Sequence, residues 1–585
     1  MKISVVIPTY NRRDTLARTL PTVLAQDFPA DQYEVVVVVD GSTDGTIDLL
    51  HTFQQNRLLR VLEQPRCGPA AARNAGVDGA RGELVLFLDD DILCERELIK
   101  QHVAAHAGPD PLVVHGPMFV APGSPGTLVA ESTRIWYQDF YGRFAPEFGL
   151  RLPADTFLAS NSSMRRSTFL ACGGFDEHIP SKEDTELGLR LWKMGLKFRY
   201  VPTAVAYEFF GKSLRDFLRK DLTGWGRAEV FLCRKYPEYR RHSELAALGA
   251  RRGWKKFVHE FALRQPVPPA PVLTVPLWMM ERLGRFPRIR RAGIRLLQAA
   301  QGIVLLHSAV REAGSWRTCR REFARRLPVL LYHHVGPPRA GTPPGLTISP
   351  ERFEGQVRWL SKRGYAGIRP SDWLAWCREG KPLPKKPVLL TFDDAYADLA
   401  EYALPVLRRY NFGATVLIVT GQIGGENRWD QADGSAPLPL MTAAQIREWA
   451  AQGIEFGAHS RTHPDLTKLT ADRLEEEVAG SGEDLASLLG GKVVSFAYPY
   501  GPYNEAACQS ARRAFDVAFT TDEGLNYLGT DLHRLRRTGI LPDESLFEFA
   551  CRVRWGWNPI LRLRARLRVR SRAKAVFHWL RDRGR

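Results

Sequence analysis

Short apolar runs alternate with amphipathic stretches over roughly the first 200 residues. ISVVIP from Ile3, EVVVVVD from Glu34, RVLEQ from Arg60 and ELVLFLD from Glu83 have the length and composition of strands, and the segments between them have helical periodicity. Strand-helix alternation of this kind predicts a mostly parallel α/β sheet. Between about Leu214 and Arg325 the strands give way to helical, arginine-rich sequence, interrupted by the proline-dense stretch QPVPPAPVLTVP. Alternation then resumes through PVLLYHHV, PVLLTFDD, ATVLIVT, IEFGAHS, VVSFAYP and VAFTTD, which predicts a second α/β domain, a barrel by its repeated strand-helix order. From Arg552 onward arginine dominates. No internal repeat is visible. The expected partition is 1–235, a helical basic connector 236–325, a second domain 326–550 and a basic tail 551–585.

Length and composition fit this partition. A chain of 585 residues exceeds what one hydrophobic core serves, and 44% apolar with 25% charged residues is the composition of a folded protein. The net charge of +18 points to anionic partners: nucleotide diphosphates, lipid phosphates, phospholipid headgroups or nucleic acid. Eight cysteines without a CxxC or a close pair signal neither a zinc ribbon nor a disulfide framework, so a reducing cytosol is expected. The opening apolar run is too short for a signal-peptide core. The most apolar long window, Ala292 to Val310, contains Arg295, Gln298, Gln301 and His307, so contact with a membrane is expected and a span is not.

Candidate chemistry gathers where strands end. The first strand runs into Pro8-Thr9-Tyr10-Asn11, the second into Asp40-Gly41-Ser42-Thr43-Asp44-Gly45, and a later one into Asp89-Asp90-Asp91. Ligands of open parallel sheets bind at the carboxyl ends of strands. Hard cations such as magnesium or manganese take oxygen ligands and neutralise a diphosphate, so carboxylates at this edge have a chemical use. If strand geometry continues, Asp89 and Asp91 point to one side. Taken singly, DGSTDG also reads as a turn with an Asx cap.

The ordered set VVIPTYNR, VVDGSTDGT, AARNAGVDGARGELVLFLDDD, GGFDE and EDTELGLRLWKMG resembles the family 2 glycosyltransferases of the GT-A fold over nearly the first 210 residues. The resemblance implies that Pro8, Thr9 and Asp40 contact the nucleotide and that Arg73 lies near the diphosphate. It implies further that Asp89 and Asp91 form the metal-binding DxD, with Asp89 on the nucleotide-sugar side and Asp91 on a magnesium or manganese ion. Asp184 resembles the base that deprotonates an acceptor hydroxyl for inverting attack, a role helped by burial that raises its pKa; its other reading is a helix N-cap. Two positions depart from the pattern. Val39-Asp40 stands where two aspartates are common, and Ala206-Tyr207-Glu208 stands where a metal-binding histidine is common. Glu208 reads either as a replacement oxygen ligand or as a surface carboxylate.

The second half carries a different constellation. Asp393 and Asp394 follow a strand in TFDDAYADL, and GIEFGAHSRTHPDL offers His459 and His463. Two histidines four apart on a helical turn share a face, and with an aspartate they make a three-ligand site with an open position for water. Zinc in such a site lowers the pKa of its water to about 7. The order TFDD, HSRTH, FAYPYG resembles the polysaccharide deacetylases of carbohydrate esterase family 4 from about Pro328 to Ile540. The resemblance implies that Asp393 is the general base, that Asp394, His459 and His463 hold zinc or a similar divalent ion, and that the main-chain N–H of Tyr500 stabilises the oxyanion. The arginine usual in the third motif is replaced by Ser495-Phe496-Ala497-Tyr498, which leaves the tuning of Asp393 open. Leu532-His533 and His333-His334 are the candidates for the general acid.

Together these features predict a bifunctional enzyme that transfers sugar from a nucleotide-diphosphate sugar to a glycan or lipid-linked acceptor and removes N-acetyl groups, in making a surface polysaccharide. The alternatives are a glycosyltransferase carrying a catalytically degenerate carbohydrate-binding domain and a basic scaffold. The tail, with alternating arginine and aliphatic residues from Leu561 to Arg570, reads either as a solvated segment or as an element for an anionic membrane at the cytoplasmic face. No groove-reading or stacking motif accompanies the charge, so a nucleic-acid partner is not expected.

Overall fold

The computed structural model describes residues 1–53, 55–108, 112–142, 157–179, 181–250, 260–337, 345–429 and 437–561. They divide into two compact units, one within Met1–Lys235 and Arg252–Cys319, the other within Tyr236–Arg251 and Arg320–Arg585. The expected connector 236–325 therefore contributes to both units rather than forming one of its own.

The first unit contains β1 (Ile3–Thr9), β2 (Tyr33–Asp40), β3 (Leu59–Gln64), β4 (Leu84–Leu88), β5 (Ile92–Cys94), β6 (Leu112–His115), β7 (Met118–Val120), β8 (Asn161–Arg165), β9 (Lys197–Tyr200) and β10 (Ala206–Glu208). Its main sheet has the order β3-β2-β1-β4-β8-β6-β9 and is parallel except that β8 runs antiparallel to β4 and β6. The continuous apolar runs have a simple cause: side chains alternate between faces, and both faces are covered. Val5, Ile7, Val35, Val37, Leu84 and Leu86 enter one core, while Val6, Val85 and Phe87 enter another.

Because β1, β2 and β4 are parallel, Thr9, Asp40 and the Asp89–Asp91 segment lie at one edge of the sheet. A smaller sheet, β5-β10-β7, pairs Glu208 with Ile92 and so delivers Glu208 beside Asp91. The helix Pro287–Glu312 has the length and composition to cross a membrane, with 56% of its most apolar window buried. Leu297, Ala300 and Val304 from it belong to the core of the unit, which accounts for that hydropathy by packing.

The second unit contains β11 (Val329–Tyr332), β12 (His334–Val335), β13 (Thr347–Ile348), β14 (Ala366–Gly367), β15 (Pro387–Phe392), β16 (Thr415–Ile418), β17 (Glu455–Ala458), β18 (Ser495–Ala497), β19 (Val517–Phe519) and β20 (Thr538–Gly539). The main order is β19-β18-β17-β16-β15-β11-β20, all parallel, with β14 joined to β15. The sheet curls, and one segment reaches both of its edges: Leu535 bridges to Phe519, and Thr538 and Gly539 pair with Leu330 and Leu331. The expected barrel is thus drawn together at a seam made by residues 535–539. The arginine-rich tail after Leu561 lies outside the described residues.

Candidate active sites

In the first unit the strand-end residues form a network of carboxylates. Pro8 is buried in β1 opposite Val38, and Thr9 donates its hydroxyl proton to Asp90 Oδ2 at 2.8 Å. Asp40 spends its carboxylate on the chain itself, accepting from Gln64 Nε2 at 2.8 Å and from the N–H groups of Cys67 and Gly68 at 2.8 and 2.9 Å. It therefore pins the loop that leads into the helix Pro69–Gly79, from which Arg73 projects. Arg73 is buried and bridges two acids, Asp89 Oδ1 at 2.6 Å and Glu183 Oε1 at 2.8 Å, with the Phe175 ring 5.4 Å from its guanidinium carbon.

Asp89 and Asp91 do not continue a strand, because β4 ends at Leu88 and the amide of Ile92 turns back to the Asp89 carbonyl at 3.3 Å. The expected common direction is replaced by a division. Burial opposes ionisation of Asp89, but the charge of Arg73 and the hydrogen bonds from Ser160 and Arg73 outweigh it and hold the carboxyl below the usual range. Asp91 instead faces Arg12 at 3.6 Å. Burial, then the charge of Asp89, pushes Asp91 up to about 6, while burial, then Asp91, pushes Asp90 to about 7. Glu208 is pushed to about 8 by burial and by Asp91, and Tyr137 donates to its Oε2 at 2.7 Å. Glu208 is half-buried, and through Tyr137 and Asp91 it belongs to the acidic cluster rather than standing as an isolated surface carboxylate.

Asp184 sits in the first turn of the helix Glu183–Lys193, whose N-cap is Lys182 at φ +59°. It is therefore not the cap. Its Oδ1 accepts from the Thr185 amide at 2.7 Å, and burial, then the charge of Glu183, raises its pKa to about 6. A carboxylate so placed is ionised at neutral pH yet basic enough to accept a proton.

The second unit gathers a tighter set. Among the described residues, Asp394, His459 and His463 bring one ligand atom each to within 4.8 Å of one another, and all three are buried. The His459 and His463 Nε2 atoms are 3.3 Å apart, and Asp394 Oδ1 is 3.8 and 3.5 Å from them. A tetrahedral ion with bonds of about 2.0–2.1 Å separates its ligand atoms by about 3.4 Å, so these side chains fit such an ion. Burial makes both imidazoles harder to protonate, His463 down to about 2, which keeps them neutral as ligands. The Ala497 carbonyl, 2.9 Å from His459 Nδ1, fixes that tautomer and leaves Nε2 with its lone pair inward.

The histidines do not lie on a helical turn. They flank a loop after β17 in which Ser460 and His463 have φ of +64° and +63°. Glu477 holds that loop, accepting from the amides of Arg461 and Thr462 at 3.0 and 2.9 Å. Asp394, Ala395 and Tyr500 also have positive φ, so non-glycine strain concentrates around one site.

Asp393 is held differently. Arg537, fully buried, donates from Nη1 to Oδ1 at 2.6 Å and from Nη2 to Oδ2 at 2.8 Å. Burial alone would raise the Asp393 pKa, but the Arg537 charge outweighs it and holds the carboxyl far below the usual range. The orienting arginine absent from the third motif is thus supplied from the barrel seam. It was hidden in sequence because Arg534, Arg536 and Arg537 form one basic run.

Of the acid candidates, His533 is spent on the Phe515 carbonyl at 2.9 Å, and His334 on Asp398 at 2.9 Å and Thr347 at 3.1 Å. His333 shares the electrostatic environment of Asp393, Arg537 and His459, and burial lowers its pKa to about 4. Tyr500, 55% exposed, brings its ring 4.4 Å from that of His463, and Trp429 stacks on His463 at 4.7 Å. The turn at Tyr500 needs Gly501, where a Cβ would lie 2.0 Å from Thr521 Oγ1. Trp429 carried no motif signal.

Residues 4–171 match the family model described as Glycosyl transferase family 2, and residues 380–515 match that described as Polysaccharide deacetylase. YxkH of Bacillus subtilis (strain 168), whose name places it provisionally among polysaccharide deacetylases, is 27% identical over 235 residues, 40% of this chain and 77% of that protein. Validoxylamine A glucosyltransferase of Streptomyces hygroscopicus subsp. jinggangensis (strain 5008) is 35% identical over 237 residues, 36% of this chain. The chain spans about half the length of that relative, 54%. A Streptococcus pyogenes deacetylase, PplD, solved in complex with acetate, is 28% identical with a TM-score of 0.34, covering 39% of this chain and 97% of that one.

Proposed function

We propose that this chain, which carries a glycosyl transferase family 2 domain followed by a polysaccharide deacetylase domain, both transfers a sugar from a nucleotide-diphosphate donor and removes acetyl from an N-acetylated glycan or glycolipid. The observation that carries the second activity is the pairing of an arginine-held aspartate with a buried Asp-His-His set. Asp394, His459 and His463 would hold zinc or a similar divalent ion, which supplies Lewis acidity toward an amide carbonyl and a water of lowered pKa. Asp393, kept ionised and oriented by Arg537, accepts the proton of the attacking water. The Tyr500 main-chain N–H would stabilise the developing oxyanion, and His333 would pass a proton to the departing amine.

In the first domain Asp184 accepts the proton of an acceptor hydroxyl as it attacks the anomeric carbon, with inversion. Asp91 and Glu208 would hold magnesium or manganese, which neutralises the leaving diphosphate. Two raised carboxylates side by side are a site that a divalent cation would discharge. Asp89, locked by Arg73, faces the nucleotide sugar, with Pro8, Thr9 and the loop pinned by Asp40 forming the nucleotide end.

Incubation of the full chain with a panel of nucleotide sugars and N-acetylated acceptors, following nucleoside diphosphate and acetate release, tests both halves. Release of both products is expected. If zinc-loaded protein releases no acetate from any N-acetylated glycan, the second domain is a binding module instead; Arg537 weighs against that reading because it restores the orienting group whose absence suggested it.

A further inference from the structure

The helix Pro269–Arg282 is apolar on two faces. Ala270, Leu273 and Leu277 turn inward to the core of the first unit. Val272, Val275, Pro276 and Met279 follow each other at i, i+3, i+4 and i+7 and face outward, with Val272 67%, Val275 60%, Met279 53% and neighbouring Trp278 49% exposed. No charged residue occurs from Gln265 to Met280, and Val267, Leu283 and Phe286 extend the exposed apolar surface at either end. Scattered apolar residues on a surface need no explanation; a helical stripe of them does.

The charges around this stripe are predominantly of one sign, with Arg264 paired to Glu260 at 3.5 Å and Arg290 to Glu131 at 3.4 Å. From Phe261 to Arg295 the chain has seven arginines and a single acid, Glu281, which turns inward to accept from the Leu128 amide at 2.9 Å. Arg282 stands over the Trp278 ring at 5.1 Å and Arg285 over Phe286 at 4.9 Å, so apolar bodies and cationic heads sit together. This is the arrangement of a segment lying in a membrane interface, with aromatic and aliphatic groups among the acyl chains and guanidinium groups at the phosphates.

We propose that the outer face of Pro269–Arg282, continued to Phe286, docks the protein on an anionic lipid bilayer. Charge decides the occupant. A second copy would bring one arginine rim against another, whereas a layer of lipid phosphates complements it. The helix also positions catalytic parts: Glu281 anchors the start of the helix Leu128–Tyr141, whose Tyr137 holds Glu208. Docking would set the sugar-transfer site at a fixed height above the bilayer, as a lipid-linked acceptor requires. The docking itself does not depend on the sugar-transfer reading.

Cosedimentation of the full chain with vesicles of phosphatidylcholine, with and without phosphatidylglycerol, tests this. Wild type is expected to bind the anionic vesicles, more weakly as salt rises. The pair Val275→Asp with Trp278→Asp, and separately Arg282→Glu with Arg285→Glu, should each lower binding at least about tenfold, since each removes one of the two contributions. Every variant retains the arginine-rich tail, so a loss belongs to the helix. Melting temperature and acetate release should stay unchanged, which separates lost docking from misfolding. Equal vesicle binding by both variants and wild type would overturn the proposal. So would a wild-type dimer that binds no vesicles and becomes monomeric on Val275→Asp, which would make the face a contact between copies.

Discussion

Arg537 closes the barrel seam and grips Asp393: two residues from the Leu535 bridge to Phe519 and next to the pairing of Thr538 with Leu330, it places both guanidinium Nη atoms on that carboxylate at 2.6 and 2.8 Å. Closing the sheet and orienting the Asp393 carboxylate are therefore one structural event. Removing the arginine leaves burial as the main influence on Asp393, which raises its pKa. Arg537→Gln should then move the acid limb of the acetate-release pH profile to higher pH and lower kcat by about 10–100-fold, the scale of lost orienting partners. A pH profile with an unmoved acid limb would show that Arg537 serves the fold alone.

The two adjacent aspartates should separate by metal content. Asp394→Asn weakens a ligand, so bound zinc and acetate release fall together. Asp393→Asn removes a proton acceptor and should keep most of the metal while turnover falls about 10²–10⁴-fold. Elemental analysis alongside acetate release distinguishes them; equal metal loss in both would reverse the assignments.

Asp91→Asn should abolish sugar transfer and leave acetate release intact, because the two carboxylate sets belong to different units. Nucleoside diphosphate and acetate measured on one preparation provide the comparison. Loss of both activities from folded protein would count against separate sites.

For Asp184 the expected limb is at about pH 6, where the raised carboxyl titrates. Sugar transfer needs the ionised form, so kcat falls as pH drops through that value, and Asp184→Asn should cost about 10²–10⁴-fold. A transfer profile flat from neutral to mildly acid pH would remove Asp184 as the base.

The acidic cluster should make the first unit less stable as pH rises. Asp90 and Glu208, at about 7 and 8 in the fold, retain protons that an unfolded chain releases near pH 4. The folded state therefore binds more protons between those values, and stability declines with rising pH. The buried His102, His106 and His115 act oppositely, but their depressed pKa values make that effect vanish above about pH 6.5. Calorimetry should show melting about 2–4 °C lower at pH 8 than at pH 6.5. Manganese should restore more at pH 8, and Glu208→Gln should flatten the dependence. A pH-independent melting temperature would mean that the carboxylates do not repel as placed.

Local pattern determined the two α/β units, the apolar strands and the strand-end positions of Asp40, Asp89, Asp393 and Asp394, because side-chain alternation and strand length are written within a few residues. The Asp-His-His set was legible for the same reason, since His459 and His463 are four apart. Their loop conformation was not, because it depends on the side chain of Glu477, which folds back from the following helix, Ala471–Leu489, onto the loop amides. Only tertiary structure decided which of several neighbouring arginines reaches Asp393, which histidine among His333, His334 and His533 stands by the site, and that Glu208 joins Asp91. Each of those outcomes is a contact between segments far apart in the chain, and burial and charge there depend on what the fold brings alongside.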